Sequence, residues 1–172
     1  LLNQKAIHKP SAQHIMDDDY YKRIEAIQFT MSHDDGKKVD DITNADVILL
    51  GVSRTSKTPT SIYLANRGFK TINIPLVLDQ KIPAGLTLNK KACIVGLVAD
   101  PERLADIRRN RVAIMKEHNL KEYTDLNYIK KEVNDSKSLF KKNNWPVIDV
   151  TRRSVEETAA SILKIIEIKK HS

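Results

Sequence analysis

The 172-residue chain carries 29 Lys+Arg against 22 Asp+Glu, a formal net charge of +7, with 41% hydrophobic and 30% charged residues. That is enough chain and enough apolar content to bury a core, and no apolar run approaches the roughly 20 residues of a membrane-spanning helix. A single cysteine, Cys93, excludes an internal disulfide or a multi-cysteine zinc site and suits a reducing cytoplasm; an aromatic content of 5% leaves no basic and aromatic tract for stacking nucleic-acid bases.

The chain opens LLNQKAIHKP without an initiator Met, so it reads as the C-terminal part of a longer protein, with 1–172 forming one α/β domain. Helical spacing of Tyr21, Ile24, Ile27 and Met31 predicts a helix over 18–32, capped by Asp17 or Asp18 and closed by the polar turn HDDG at 33–36. ADVILL (45–50) is a continuous apolar run of the kind a buried parallel strand shows. GVSRTSKTPT follows it, then a helix through SIYLANR that Gly68 ends. TINIPLVL (71–78) predicts a second strand cut short by Pro75, KIPAGLTLNKK a loop or short helix, and ACIVGLVAD (92–100) a third strand. PERLADIRRNRVAIMKEH (101–118) predicts a helix with an Asp cap and Pro in its first turn. A Thr-capped helix is expected over 124–144, a fourth strand over 145–151, and a last helix over 154–170 with Ser154 and Glu157 as a capping box. Strands alternating with helices imply a parallel sheet with helices on both faces, of the P-loop-kinase kind, and a ligand site at the carboxyl ends of the strands.

GVSRTSKT (51–58) nearly spells the phosphate-binding loop G-x-x-x-x-G-K-[ST], with Ser56 where the second glycine would stand. A phosphate loop needs a buried strand before it, a helix after it, and backbone N–H groups turned inward between them. ADVILL and the following helix supply the flanks, Lys57 supplies a cation, and Thr58 supplies a hydroxyl for magnesium. Pro59 is compatible, because the first turn of a helix has no use for its missing N–H. The competing reading is a capped strand-to-helix turn, favoured by the serine.

The string ADVILLGVSRTSKTPTSIYLANRGFKTINIPLV, with YYKRIEAIQFTMSHDDG upstream and VGLVADPERLADIRRNR and FKKNNWPVIDVTRRSVEETAASIL downstream, resembles the pyruvate, phosphate dikinase and phosphoenolpyruvate synthase regulatory proteins. The resemblance covers almost the whole chain, and Ser56 belongs to that family's own loop pattern. It implies a bifunctional enzyme that uses ADP to phosphorylate, and so inactivate, a threonine of the dikinase or the synthase. It also implies the reversal, in which inorganic phosphate attacks the phosphothreonine and releases pyrophosphate.

On that reading Gly51, Val52, Ser53, Arg54, Thr55, Ser56, Lys57 and Thr58 cradle the donor phosphates, Thr58 is a magnesium ligand, and Lys57 neutralises moving charge. Asp34 and Asp35 are the candidates to orient the threonine and accept its proton, with Asp35 favoured and His33 orienting a carboxylate or touching phosphate. The bland reading of HDDG is a solvated turn. Arg108, Arg109 and Arg111, with Arg152 and Arg153, are candidate phosphate or lid residues, against the alternative of surface salt bridges. The protein partner is then the dikinase or the synthase, with no nucleic acid or membrane; a homo-oligomer is compatible with the same reading. An ATP-dependent small-molecule kinase and a non-enzymatic sensor of ADP or phosphate are the competing functions.

Overall fold

The computed structural model describes residues 10–34, 42–115 and 121–171. Its elements in chain order are α1 (Pro10–Ser32), a 3-10 turn (Ile42–Asn44), β1 (Val47–Gly51), α2 (Lys57–Asn66), β2 (Thr71–Pro75), β3 (Cys93–Val98), α3 (Pro101–Met115), α4 (Lys121–Thr124), α5 (Leu126–Lys142), β4 (Val147–Asp149) and α6 (Val155–Lys170). The four strands form one all-parallel sheet in the order β2-β1-β3-β4. The two central strands, VILLG and CIVGLV, are buried at every position, as strands covered on both faces must be. Val147 and Asp149 on the edge strand β4 are exposed.

Alternation along β1 sends Val47 and Leu49 into one apolar cluster and Ile48 and Leu50 into another. The first cluster takes in Leu64 of α2 and Ala159, Ile162 and Ile166 of α6. The second includes Ile72, Ile74, Ile94 and Phe140 of α5. Helices therefore cover both faces, as an α/β sheet of the P-loop-kinase kind requires. At Gly96 an added Cβ would lie 2.5 Å from the Phe140 ring, so the glycine in β3 is what lets α5 lie close to the sheet.

Local capping chemistry explains most boundaries. Asp100 accepts the Arg103 N–H at 3.1 Å and Ser154 accepts the Glu157 N–H at 3.1 Å, capping α3 and α6 as expected. Gly68, with φ of 91°, ends α2 in a Schellman pairing: Gly68 N–H donates to the Ala65 carbonyl and Phe69 N–H to the Leu64 carbonyl. The strands are shorter than the sequence reading, with β4 only Val147–Asp149, and the starts of two helices differ from it. The first helix opens at Pro10, not at residue 18, because proline's fixed φ suits a first turn, and Asp17 and Asp18 lie inside it. Thr124 does not cap α5; it closes the short α4, and Asp125 is the residue in extended conformation ahead of α5. The connection from Leu76 to Ala92 contains no helix. No helix among the described residues is long and apolar enough to cross a membrane.

Candidate functional site

The order β2-β1-β3-β4 places β1 where the chain's path reverses: β2 lies on one side of it and β3 on the other. In open parallel sheets the crevice beyond such a strand's carboxyl end is where ligands sit. The loop leaving β1 there is residues 51–58. Gly51 starts it, and a Cβ at that position would fall 2.6 Å from Thr55 Oγ1 and 2.8 Å from the Leu97 carbonyl oxygen, so only glycine allows the loop to fold back onto β3.

Within the loop Arg54 has φ of 70° and Ser56 φ of 62°, while α2 begins at Lys57. Left-handed residues at alternate positions ahead of a helix N-terminus curl the backbone into a concavity suited to anions. Ser56 thus adopts the conformation that a glycine would supply, and its side chain makes no capping bond to α2. Thr55 Oγ1 donates to the Val52 carbonyl at 2.8 Å, which locks the curl from inside. The Lys57 ammonium, on a side chain only 5% exposed, donates to the same carbonyl at 2.8 Å and to Thr55 Oγ1 at 3.4 Å. A depression of about 390 Å³ opens over the loop, lined by Ser53, Arg54, Ser56, Lys57, Thr58 and Pro59, with Pro75 and Ile107 as its far wall.

Thr58 connects the loop to the end of α1. Its Oγ1 donates to Asp34 Oδ1 at 3.0 Å, and Asn73 Nδ2 donates to Asp34 Oδ1 at 2.7 Å and to Thr58 Oγ1 at 3.0 Å. The sequence reading brought Asp34 and Thr58 forward separately; the structure puts them in contact. Asn73 was missed, although a signal existed: an amide inside the apolar strand TINIP is costly to bury without a purpose. Asp35 lies outside the described residues. His33 is buried, with its ring stacked on Phe29 and Nδ1–H donating to the Phe29 carbonyl at 2.6 Å.

The five arginines separate. Arg108 is fully buried: Nη1 donates to Glu132 Oε1 at 2.8 Å and to the Tyr123 carbonyl at 3.1 Å, and Nη2 donates to the Ser53 carbonyl at 3.1 Å. Its guanidinium also lies over the Tyr123 ring, whose hydroxyl is 3.1 Å from Ser53 Oγ. Arg108 therefore grips the loop by its backbone, bracing it against α4 and α5. Tyr123 and Glu132, which complete that brace, carry no local mark in the sequence. Arg109 and Arg111 are exposed on α3, and Arg109 stands 3.7 Å from Asp106. Arg152 lines a shallow depression with Asp100, Arg103 and Thr151, and Arg153 donates to Ser161 Oγ at 2.7 Å.

A larger cavity of about 600 Å³ adjoins the loop at Val52, between the 76–82 segment and α5. Its walls include Leu76, Ile82 and Leu139 together with Asp79, Glu132 and Asp135. Lys81 and Lys142 also line it, and Glu132 is already paired with Arg108, so the cavity is of mixed charge. Elsewhere, burial pushes the Cys93 thiol above its ordinary range, in keeping with a small apolar residue in β3.

Residues 1–163 match the sequence profile of the kinase/pyrophosphorylase family. The chain belongs to that family. Its relatives in the kinase/pyrophosphorylase family include a protein of Pelagibacter ubique, 63% identical over 173 residues that take in 100% of this chain and 63% of the relative. A protein of Erythrobacter litoralis is 52% identical over 95% of this chain and 59% of its own length, and one of Sinorhizobium fredii is 52% identical over 95% and 60%. All three are named "Putative pyruvate, phosphate dikinase regulatory protein". The chain thus spans less than two thirds of the length of these kinase/pyrophosphorylase relatives, and the loop, Asp34, Asn73 and the Arg108 brace all fall inside the shared part.

Proposed function

We propose that the protein regulates pyruvate, phosphate dikinase by reversible phosphorylation, acting as an ADP-dependent kinase on a threonine and as a phosphate-dependent phosphorylase in the reverse direction. The observation that carries this reading is the curled loop 51–58, with left-handed Arg54 and Ser56 and the buried Lys57 at the sheet's switch point, in a chain of the kinase/pyrophosphorylase family. The relatives' names favour the dikinase as partner over the synthase.

In the forward direction the target threonine's oxygen attacks the β-phosphorus of ADP, a P–O bond forms, the P–O bond to AMP breaks, and the threonine proton passes to a carboxylate. In the reverse direction an oxygen of inorganic phosphate attacks the phosphothreonine; pyrophosphate leaves and the threonine oxygen takes a proton back. Phosphoryl transfer depends chiefly on positioning and on cations that meet the charge of the phosphoryl group. The loop N–H groups and Arg54 hold the phosphates. Lys57 exchanges its bond to the Val52 carbonyl for one to a phosphate oxygen, a swap that keeps the buried ammonium paired throughout. Asp34 is already engaged with Thr58 and Asn73, so the proton-accepting role falls to Asp35. Thr58 and Asp34 would hold a magnesium ion, which would further neutralise phosphate charge. A protein acting on such an enzyme works in the cytoplasm.

The test uses the full-length protein, phosphohistidine-charged dikinase and ADP labelled in its β-phosphate. Label is expected on a dikinase threonine, and Lys57→Met, which keeps the aliphatic stem's packing, lowers the transfer rate by about 10²-fold or more. Label transferred from ATP to a small molecule, with none on the dikinase, overturns the proposal.

A further inference from the structure

Resting on the reading of 51–58 as a phosphate cradle, we propose that Asn73 on β2 is the third member, with Asp34 and Thr58, of a divalent-cation site that forms only when phosphate is bound. Nothing in the loop motif assigns this residue. Three polar atoms converge on one point of the cradle's rim: Asp34 Oδ1, Thr58 Oγ1 and the Asn73 amide, at mutual distances of 2.7, 3.0 and 3.0 Å. Adjacent oxygens around octahedral magnesium, at 2.0–2.1 Å from the metal, are about 2.9 Å apart, whereas calcium's longer bonds spread them to about 3.3–3.7 Å. Hydrogen bonds hold the trio at this spacing now.

The independent observation is the other end of the amide. Asn73 is 1% exposed, and its Oδ1 is buried without a hydrogen-bond partner. A buried orphan carbonyl is costly, and a strand position could have been filled by an apolar residue at no such cost. The amide faces Asp34 with its N–H side, as a carboxylate demands while no cation is present. A half-turn of the amide exchanges the two ends and points Oδ1 at Asp34 and Thr58, where a cation would replace the donated hydrogens. The metal then has three hard oxygen ligands, while the amide N–H groups give up their bonds to Asp34 and Thr58 and take the oxygen's former place, a loss that cation binding must offset.

One carboxylate, one hydroxyl and one amide hold bare magnesium weakly. Such sites are completed by phosphate oxygens and water. Cation and phosphate must therefore bind with positive coupling, and each raises the other's affinity by the same factor.

The experiment measures inorganic pyrophosphate binding to the full-length protein by calorimetry, once in EDTA and once in excess magnesium, for wild type, Asn73→Ala and Asn73→Asp. The wild-type affinity is expected to rise by about tenfold or more with magnesium. In Asn73→Ala that rise shrinks to about twofold. Asn73→Asp restores the rise, because its carboxylate oxygen can ligate. It also melts lower than wild type in EDTA and recovers with magnesium and pyrophosphate, because two carboxylates then share a cation. If Asn73 serves only as an N–H donor that ties β2 to α1, Asn73→Asp is at least as damaging as Asn73→Ala, and that result overturns the proposal. A wild-type affinity indifferent to magnesium, an undiminished rise in Asn73→Ala, or no pyrophosphate binding at all also overturns it. Should Asn73→Ala fail to fold, the magnesium response of Asn73→Asp decides the matter. Failure of ADP to label the dikinase, with the pyrophosphate result intact, removes the proposed function and leaves the cation site standing.

Discussion

Ser56 occupies a left-handed conformation that costs an L-residue roughly 1–2 kcal/mol, and it does so at the turn from the loop into α2. Glycine would adopt the same φ without that cost, but it gives up roughly 0.5–1 kcal/mol in the entropy of the unfolded chain. Ser56→Gly is therefore expected to change unfolding free energy by no more than about 1 kcal/mol and to keep phosphate binding. Ser56→Val places a β-branched side chain at positive φ, where crowding is severe, and is expected to lower both; denaturant melts and pyrophosphate titrations check the pair. At this scale the sequence was legible where chemistry is carried by residue type. Gly51, Lys57 and Thr58 suggest a phosphate loop by type and spacing, against the competing reading of a capped turn. What the letters do not show is that the serine takes up the glycine's dihedral angles, since a backbone conformation forced by neighbours leaves no trace in the side chain's identity. Asn73 is the instructive intermediate: its type was visible and out of place in an apolar strand, but only the fold shows that it faces Asp34 and Thr58.

Among the elements, α5 depends on Gly96. An alanine there meets Cδ2 and Cε2 of Phe140 at 2.5 Å, and a ring wedged against a strand cannot retreat without moving its helix. Gly96→Ala is expected to cost about 1–3 kcal/mol by overpacking, partly relieved in Gly96→Ala with Phe140→Leu, as chemical denaturation would show. The carboxyl ends of β3 and β4 are tied by a short polar chain: Asp100 N–H donates to Thr151 Oγ1, which donates to Asp149 Oδ1. The Thr151 hydroxyl bond, opposed by partial desolvation and helped by the Thr151 N–H, holds the Asp149 carboxyl below the usual range. A carboxyl whose folded pKa is depressed stabilises the fold fully above its unfolded pKa and loses that contribution as pH falls through the folded pKa. Wild type is thus expected to lose stability relative to Asp149→Asn as pH drops from about 5 toward 2, by a small amount because the group is largely exposed; urea midpoints across that range measure it. Strands and most caps could be read from periodicity and capping chemistry. The strand order could not, because parallel pairing is decided by crossovers, and the stretch from Leu76 to Ala92 crosses back past β1 without a helix to mark it.

For the whole molecule, the Arg108–Glu132 pair is the link between the cradle and the helices that follow it. Both side chains are buried, at 0% and 8% exposure, and the guanidinium spans from the Ser53 carbonyl to α4 and α5. Removing one partner leaves a buried charge uncompensated, whereas removing both with apolar replacements of similar size is often tolerated. Arg108→Met alone is expected to cost about 3–5 kcal/mol, and the double substitution Arg108→Met with Glu132→Met to recover most of it. The double variant should nonetheless bind pyrophosphate more weakly than wild type, since the loop has lost its grip on α5. A double variant that binds as wild type does would show that the pair serves stability alone. No sequence pattern signals this brace: Glu132, 24 residues away, looks like an ordinary surface charge on an amphipathic helix, and the partner 55 residues away is a backbone carbonyl, that of Ser53, which no side-chain identity marks.

The parallel sheet also sets an order of events during synthesis. Val47 pairs with Thr71 and with Cys93, and Gly51 packs against the carbonyl of Leu97, so β1 is complete on both sides only after residue 98 has emerged. Until then VILLG is a wholly apolar strand with at least one open edge, attached to a loop that lacks the β3 backbone it folds against. The nascent chain therefore passes through a window of some 45 residues in which it carries the letters of the site but none of its shape. Within that window the ribosome holds a strand competent to pair with its own copies, and the arrival of β3 ends both the hazard and the absence of the cradle.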